Sequence, residues 1–158
     1  MKRLKFVVVA TAAFGLSGCG AWWQNFQKDP IGQITTIIQG AQGIEQIAIL
    51  VFSQLIMAVP ADARPAVQAK FNKGIAALNH SMTALQAGLD AAAKAKQDKP
   101  DLTALMADVS KAAEAIQAII DDLRKPGGIT GATAAAPAIG YEEFVSQVSR
   151  LKTQALKH

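Results

Sequence analysis

Apolar residues in this chain recur at steps of three and four and nowhere alternate with the period of a strand. That pattern confines the chain to packed helices. It is cleanest at Val67, Phe71, Ile75, Leu78, Met82, Leu85, Leu89 and Ala92, which form one narrow seam at heptad-like spacing. Lys70, Lys73, Asn79, His80 and Gln86 fall off the seam, so this helix has one dry stripe and a wet remainder. A second seam runs through Leu102, Leu105, Val109, Ala112, Ile116, Ile119 and Leu123. It closes at Arg124-Lys125-Pro126-Gly127-Gly128, where cations suit the helix C-terminus and proline and glycine stop it. A short polar loop separates the two seams, which predicts a long antiparallel hairpin.

The stretch before the hairpin is different. Asp29-Pro30 is a helix start, with an acidic N-cap and proline at the first helical position. Ile34, Ile37, Ala41, Ile44, Ala48, Val51, Leu55 and Ala58 then make a seam, but Ile38, Ile47, Ile49, Leu50, Phe52, Ile56, Met57 and Val59 lie off it. Glu45 is the only charge between Asp29 and Asp62. A helix apolar almost all round is buried on several sides or meets lipid. The leading expectation is a central helix covered by the others, which places both Ile49 and Phe52 in the core. Two alternatives remain: an excess face that binds another copy or a partner, and entry into a bilayer. The charge-free stretch 46–61 is 16 residues long, short of the roughly 20 that span the hydrocarbon.

Residues 126–140 are rich in Gly, Ala and Thr, and 127–140 carry no charge, which reads as a linker. After Gly140 comes a last amphipathic helix (141–158), with Glu142 and Glu143 in its first turn and Tyr141, Phe144, Val145, Val148, Leu151 and Ala155 on its apolar side. The expected fold is therefore all-α, a three- to four-helix bundle whose main body is 29–125.

The N-terminus carries Lys2, Arg3 and Lys5, then an apolar run over 6–16, then Leu16-Ser17-Gly18-Cys19 with the only cysteine of the chain. This is the order of a secretory signal: a cationic region, an apolar region and a small-residue cleavage site. Leu16-Ser17-Gly18-Cys19 resembles the lipobox of bacterial lipoproteins. The resemblance implies a signal peptide over 1–18 removed ahead of Cys19, and Cys19 carrying covalent diacylglycerol and an N-acyl chain, with no other cofactor. It implies a cell-envelope location through the lipid anchor. Gly20 stands where inner-membrane lipoproteins carry Asp, which implies outer-membrane delivery facing the periplasm. In the anchor segment 19–28, Trp22, Trp23 and Phe26 suit the membrane–water interface beside the lipid. Capping of one bundle end is their alternative role.

Charge depends on that cleavage. The 158-residue chain has 16 Lys and Arg against 12 Asp and Glu; removing 1–18 takes three cations and no acid, leaving 13 against 12 and a net charge of +1. A nucleic-acid partner, which needs a clustered basic face, is excluded. With Cys19 acylated, disulfides are excluded too, and stability must come from packing.

Catalytic patterns are missing. His80 lies two residues from both Leu78 and Met82 and points away from the seam; His158 ends the chain. Neither forms a metal-ligand spacing. Asp121-Asp122 diverge on their helix beside Arg124 and Lys125, and read as a solvated helix end. His80-Ser81 are helix neighbours that point apart. Gly40-Ala41-Gln42-Gly43 sits inside a helical pattern, not after a strand as a phosphate loop requires. The expectation is a non-catalytic protein with a structural, scaffolding or partner-binding role toward envelope proteins or itself. Rival expectations use the helix of residues 44–59, bounded by Ile44 and Val59, as a membrane-active, pore-forming or apolar-ligand-binding element; an immunity or exclusion lipoprotein is another.

Overall fold

The structure, a computed structural model, describes residues 29–97, 101–131 and 135–156. Among them lie four α-helices: α1 (Pro30–Leu55), α2 (Arg64–Lys94), α3 (Thr103–Arg124) and α4 (Tyr141–Ala155), with a 3₁₀ turn (Ile56–Ala58) closing α1. No strand occurs among the described residues. The fold is an all-α bundle.

Three of the four helix starts, those of α1, α3 and α4, have a local cause in the residues just ahead of them. Asp29 Oδ1 accepts the Gly32 N–H at 2.9 Å, with Pro30 in the first turn. Asp101 Oδ1 accepts the Thr103 N–H at 3.2 Å at the head of α3. Hydrogen bonds from the Thr103 side chain and backbone hold that carboxyl below its ordinary range. Gly140 takes a φ of +88° to launch α4, a conformation glycine adopts without steric cost. At the end of α1 the Arg64 guanidinium donates to the carbonyls of Val59 (2.8 Å) and Met57 (2.9 Å), satisfying oxygens the helix leaves free.

Contacts run in opposite order along successive helices. A Cβ on Gly88, late in α2, would meet Leu105 and Leu102 at the start of α3, and one on Gly74 would meet Ile116 and Ile119 further along. These two helices therefore run antiparallel. Glu114 pairs with Lys152, and Asp121 with Tyr141, so α4 runs back along α3. Phe52 of α1 stacks on Phe71 of α2, while Glu45 accepts from Asn79. The result is an up-down-up-down arrangement in which α1 touches all three partners.

One core joins all four helices. Phe144, Val148, Leu151 and Ala155 of α4 belong to it, so the bundle continues beyond residue 125. The segment 126–140 is tied down where it is described. Ala136 exchanges hydrogen bonds with Arg124 (N–H to carbonyl 3.3 Å, carbonyl from Nε 3.0 Å), and Ala136 and Ala138 pack on the core.

The seams of α2, α3 and α4 lie inward, with Ile75, Leu105, Tyr141 and Val145 half-buried. The α1 seam is buried from Ile34 to Leu55, but Ala58, in the turn beyond the helix, is exposed. Central burial of α1 needs correction at one point. Phe52 is 3% exposed, whereas Ile49 is 48% exposed. Covering α1 with three helices closes only the sectors those helices occupy, and Ile49 looks out of the remaining one.

Candidate interaction surface

That open sector is the most unusual surface of the molecule. It begins with Ile31 and Thr35, continues through Gln39, Gln42 and Gln46, and ends with Ile49, Leu50, Ser53 and Met57, all exposed. Leu50 and Met57 are 51% and 68% exposed. The 26 residues of α1 make it about 39 Å long at 1.5 Å per residue. Glu45, its one charge, sits at the edge of the face, half-buried, and accepts the Asn79 amide at 2.8 Å.

The flank on α2 continues this character. A groove of about 350 Å³ between the two helices is lined by Ile49, Phe52, Ser53, Ile56, Gln68, Phe71, Asn72 and Ile75. At its floor the Phe52 and Phe71 rings stack with centroids 3.8 Å apart and planes 4° from parallel. A second groove of about 410 Å³ between α1 and α2 involves Ile38, Gln42, Asn79, Met82, Thr83, Gln86 and Ala87, with Asp90 its only charge. Apart from Glu45 and Asp90, amides, hydroxyls and apolar groups line both grooves along the α1–α2 seam. Such a surface is cheap to dehydrate compared with one bearing Lys or Glu, and charge depletion is what marks interface cores.

The end of the bundle reached by the C-terminus of α1 adds to it. Gln54 holds Ile139 by a two-way hydrogen bond, its Nε2 donating to the Ile139 carbonyl (3.1 Å) and its Oε1 accepting the Ile139 N–H (3.0 Å). Ile139 is thereby fixed beside Gly140, whose neighbours include Leu50, with its own side chain exposed. Ile129 is exposed as well.

Several ionisable groups elsewhere make structural contacts. Tyr141 donates to Asp121 Oδ1 at 2.7 Å, and the Arg124 guanidinium lies 3.4 Å over its ring. Burial first, then the Asp121 carboxylate, pushes the Tyr141 phenol above its usual value. Asp121 is therefore half-buried and engaged, unlike the solvated position expected of it. Asp122 pairs with Lys125 at 2.6 Å, an exposed contact. His80 is exposed, on the outer side of α2. Among the described residues no three His, Cys, Asp or Glu side chains converge.

Cys19, Trp22, Trp23 and Phe26, the residues singled out for lipidation and the membrane interface, lie outside the described residues, as does His158. Ile44 and Val59, which bound the surplus apolar stretch, are both buried; the surplus that reaches solvent is Ile49, Leu50 and Met57. Its signal in the sequence was the absence of charge from 30 to 61 apart from Glu45. Comparison with known proteins yields no matching family model, no matching curated protein and no matching solved structure.

Proposed function

We propose that the mature chain is a non-catalytic envelope protein, held by acyl groups on Cys19, that presents the uncharged outer face of α1 as a binding surface. One observation carries the reading: a folded bundle with a complete core still leaves Ile49, Leu50 and Met57 in water on a charge-free face. Contiguous exposed apolar groups on an otherwise satisfied fold mark interaction sites. The lipobox-like Leu16-Ser17-Gly18-Cys19 supplies the address. Cys19 lies ten residues ahead of Asp29, so lipid there would tether the bundle through the chain that leads into α1. A single acyl chain binds membranes marginally, and the several chains of a lipoprotein anchor firmly. Gly20 favours the outer membrane, with the bundle in the periplasm.

Two measurements test this. Cys19→Ala should abolish fatty-acid labelling and leave the uncut precursor; labelling that persists in that variant rejects the anchor. Ile49→Lys should keep its helicity and lose the proteins that co-isolate with the wild-type chain from detergent-solubilised envelopes. Unchanged co-isolation rejects the α1 face.

A membrane-active role is the second reading, because the run Ile31–Ala58 is long and apolar enough to cross a bilayer. Only a third of its most apolar window is buried within the bundle. Release of dye from vesicles by delipidated protein would favour this role over the binding one.

A further inference from the structure

We infer that Met57 is a reversible oxidation site, and that its conversion to the sulfoxide makes the apolar end of the α1 face polar and switches binding there off. The site follows from exposure and sulfur chemistry; its consequence rests on the binding role proposed above for that face.

Three methionines lie among the described residues. Met82 and Met106 belong to the core, 7% and 2% exposed, whereas Met57 is 68% exposed. Of the large apolar side chains that the described bundle leaves in water, Met57 alone carries an atom that mild oxidants attack. The step is a two-electron oxygen transfer from a peroxide. A lone pair of the thioether sulfur attacks one peroxide oxygen, and the S–O bond forms as the O–O bond breaks. With hydrogen peroxide the second oxygen and both protons leave as water; sulfur is oxidised and the peroxide reduced. A buried sulfur meets the oxidant only when the bundle opens, so access sets the order of reaction.

Position gives the modification its effect. Met57 follows Leu50 by seven residues, about two turns, so the two share one side of the α1 end. Oxidation turns a flexible apolar group into a polar, chiral one with a strong acceptor oxygen. In the free chain water solvates that oxygen. Against an apolar partner it is left unpaired, which disfavours the complex. The fold does not depend on the side chain. Arg64 Nη2 donates to the Met57 carbonyl at 2.9 Å and its Nε to the carbonyl of buried Val59 at 2.8 Å, so the turn is held through its backbone. Sulfoxide reductases restore the thioether, which makes the change reversible.

The test treats the purified full-length chain in detergent with dilute hydrogen peroxide, then removes the peroxide and locates the added oxygen by peptide mass spectrometry. Met57 should oxidise at least about tenfold faster than Met82 and Met106. Equal rates overturn the site. The oxidised chain should keep its helicity and elute earlier from a phenyl column, and methionine sulfoxide reductases should return it to its first position. Met57→Leu, apolar and without sulfur, should elute alike before and after peroxide. An elution that does not move in the wild type, or moves as far in Met57→Leu, overturns the inference. Mixed with untreated solubilised envelopes, the oxidised chain should retain about tenfold less of the proteins that the wild type holds, while peroxide-treated Met57→Leu keeps them. If Ile49→Lys loses those proteins and the oxidised chain keeps them, the switch is rejected and the binding face stands. If neither change releases them, the face is rejected and the switch with it.

Discussion

Helices α1 and α2 lie against one another, run for 26 and 31 residues, and bury stripes of the same spacing, yet their outer faces share little. The exposed positions of α2 carry Lys70, Lys73, His80, Asp90 and Lys94; those of α1 carry threonine, glutamine, serine, isoleucine and leucine. Core packing cannot explain the contrast, because both helices have their inward side filled. Solvation cannot either, since charges are the ordinary occupants of wet helix faces. The inward stripe of each helix specifies the bundle, and the outward stripe of α1 is under a different demand. The comparison teaches that the face proposed for binding stands out by the charge it lacks, not by the core it covers.

The sharpest way to break the contrast is to place a charge on either side of the α1 boundary. Phe52 and Ile49 are three residues apart, one inside and stacked on Phe71, the other half in water. Phe52→Lys strands an ammonium in the core and removes a buried ring that packs on Phe71. It should cost about 3–5 kcal/mol or abolish folding. Ile49→Lys should stay within about 0.5 kcal/mol of wild type. Urea unfolding followed by circular dichroism reads both. Equal losses would mean that α1 has no open sector.

On α2 the boundary is tested with alanine. Leu85 is fully buried and His80 exposed. Leu85→Ala should cost about 2–5 kcal/mol, and His80→Ala within about 0.5, in the same urea experiment. A large effect at His80 would mean that the outer face of α2 is also covered, and the contrast with α1 would weaken.

Much of this was legible residue by residue. The seams at Ile34–Leu55, Val67–Ala92 and Leu102–Leu123 place the core because a helical period puts their side chains on one line. Asp29, Arg124 and Gly140 mark helix ends through local capping chemistry that needs no tertiary information. The division between Phe52 and Ile49 was not legible. Both flank the α1 seam, and the side on which α2 docks, with Phe71 to stack, is decided by the whole bundle. The anchoring of 126–140 was hidden for a related reason. Gln54 reaches Ile139 across 85 residues, and a low-complexity stretch carries no pattern that announces such a bond. The candidate surface was half legible: the missing charge was plain from Asp29 to Asp62, but how much of that face stays wet depends on where three other helices stop.

The smallest effect concerns two glycines, one on each helix. A Cβ added at Gly40 of α1 meets nothing within 4 Å, while one at Gly88 of α2 comes within 2.9 Å of Leu105 Cδ1 and 3.1 Å of Leu102 Cδ2. Glycine inside a helix costs roughly 0.5–1 kcal/mol relative to alanine through backbone entropy. Gly40→Ala should recover that amount and raise the melting temperature by a few degrees. Gly88→Ala makes the same backbone gain but must push two leucine termini aside, and overpacking of this kind costs about 1–3 kcal/mol. Its net effect should be a loss of up to about 2 kcal/mol. Thermal unfolding of the two variants, followed by circular dichroism, gives the comparison. Equal shifts of the same sign would mean that the groove beside Gly40 is as closed as the α2–α3 contact at Gly88.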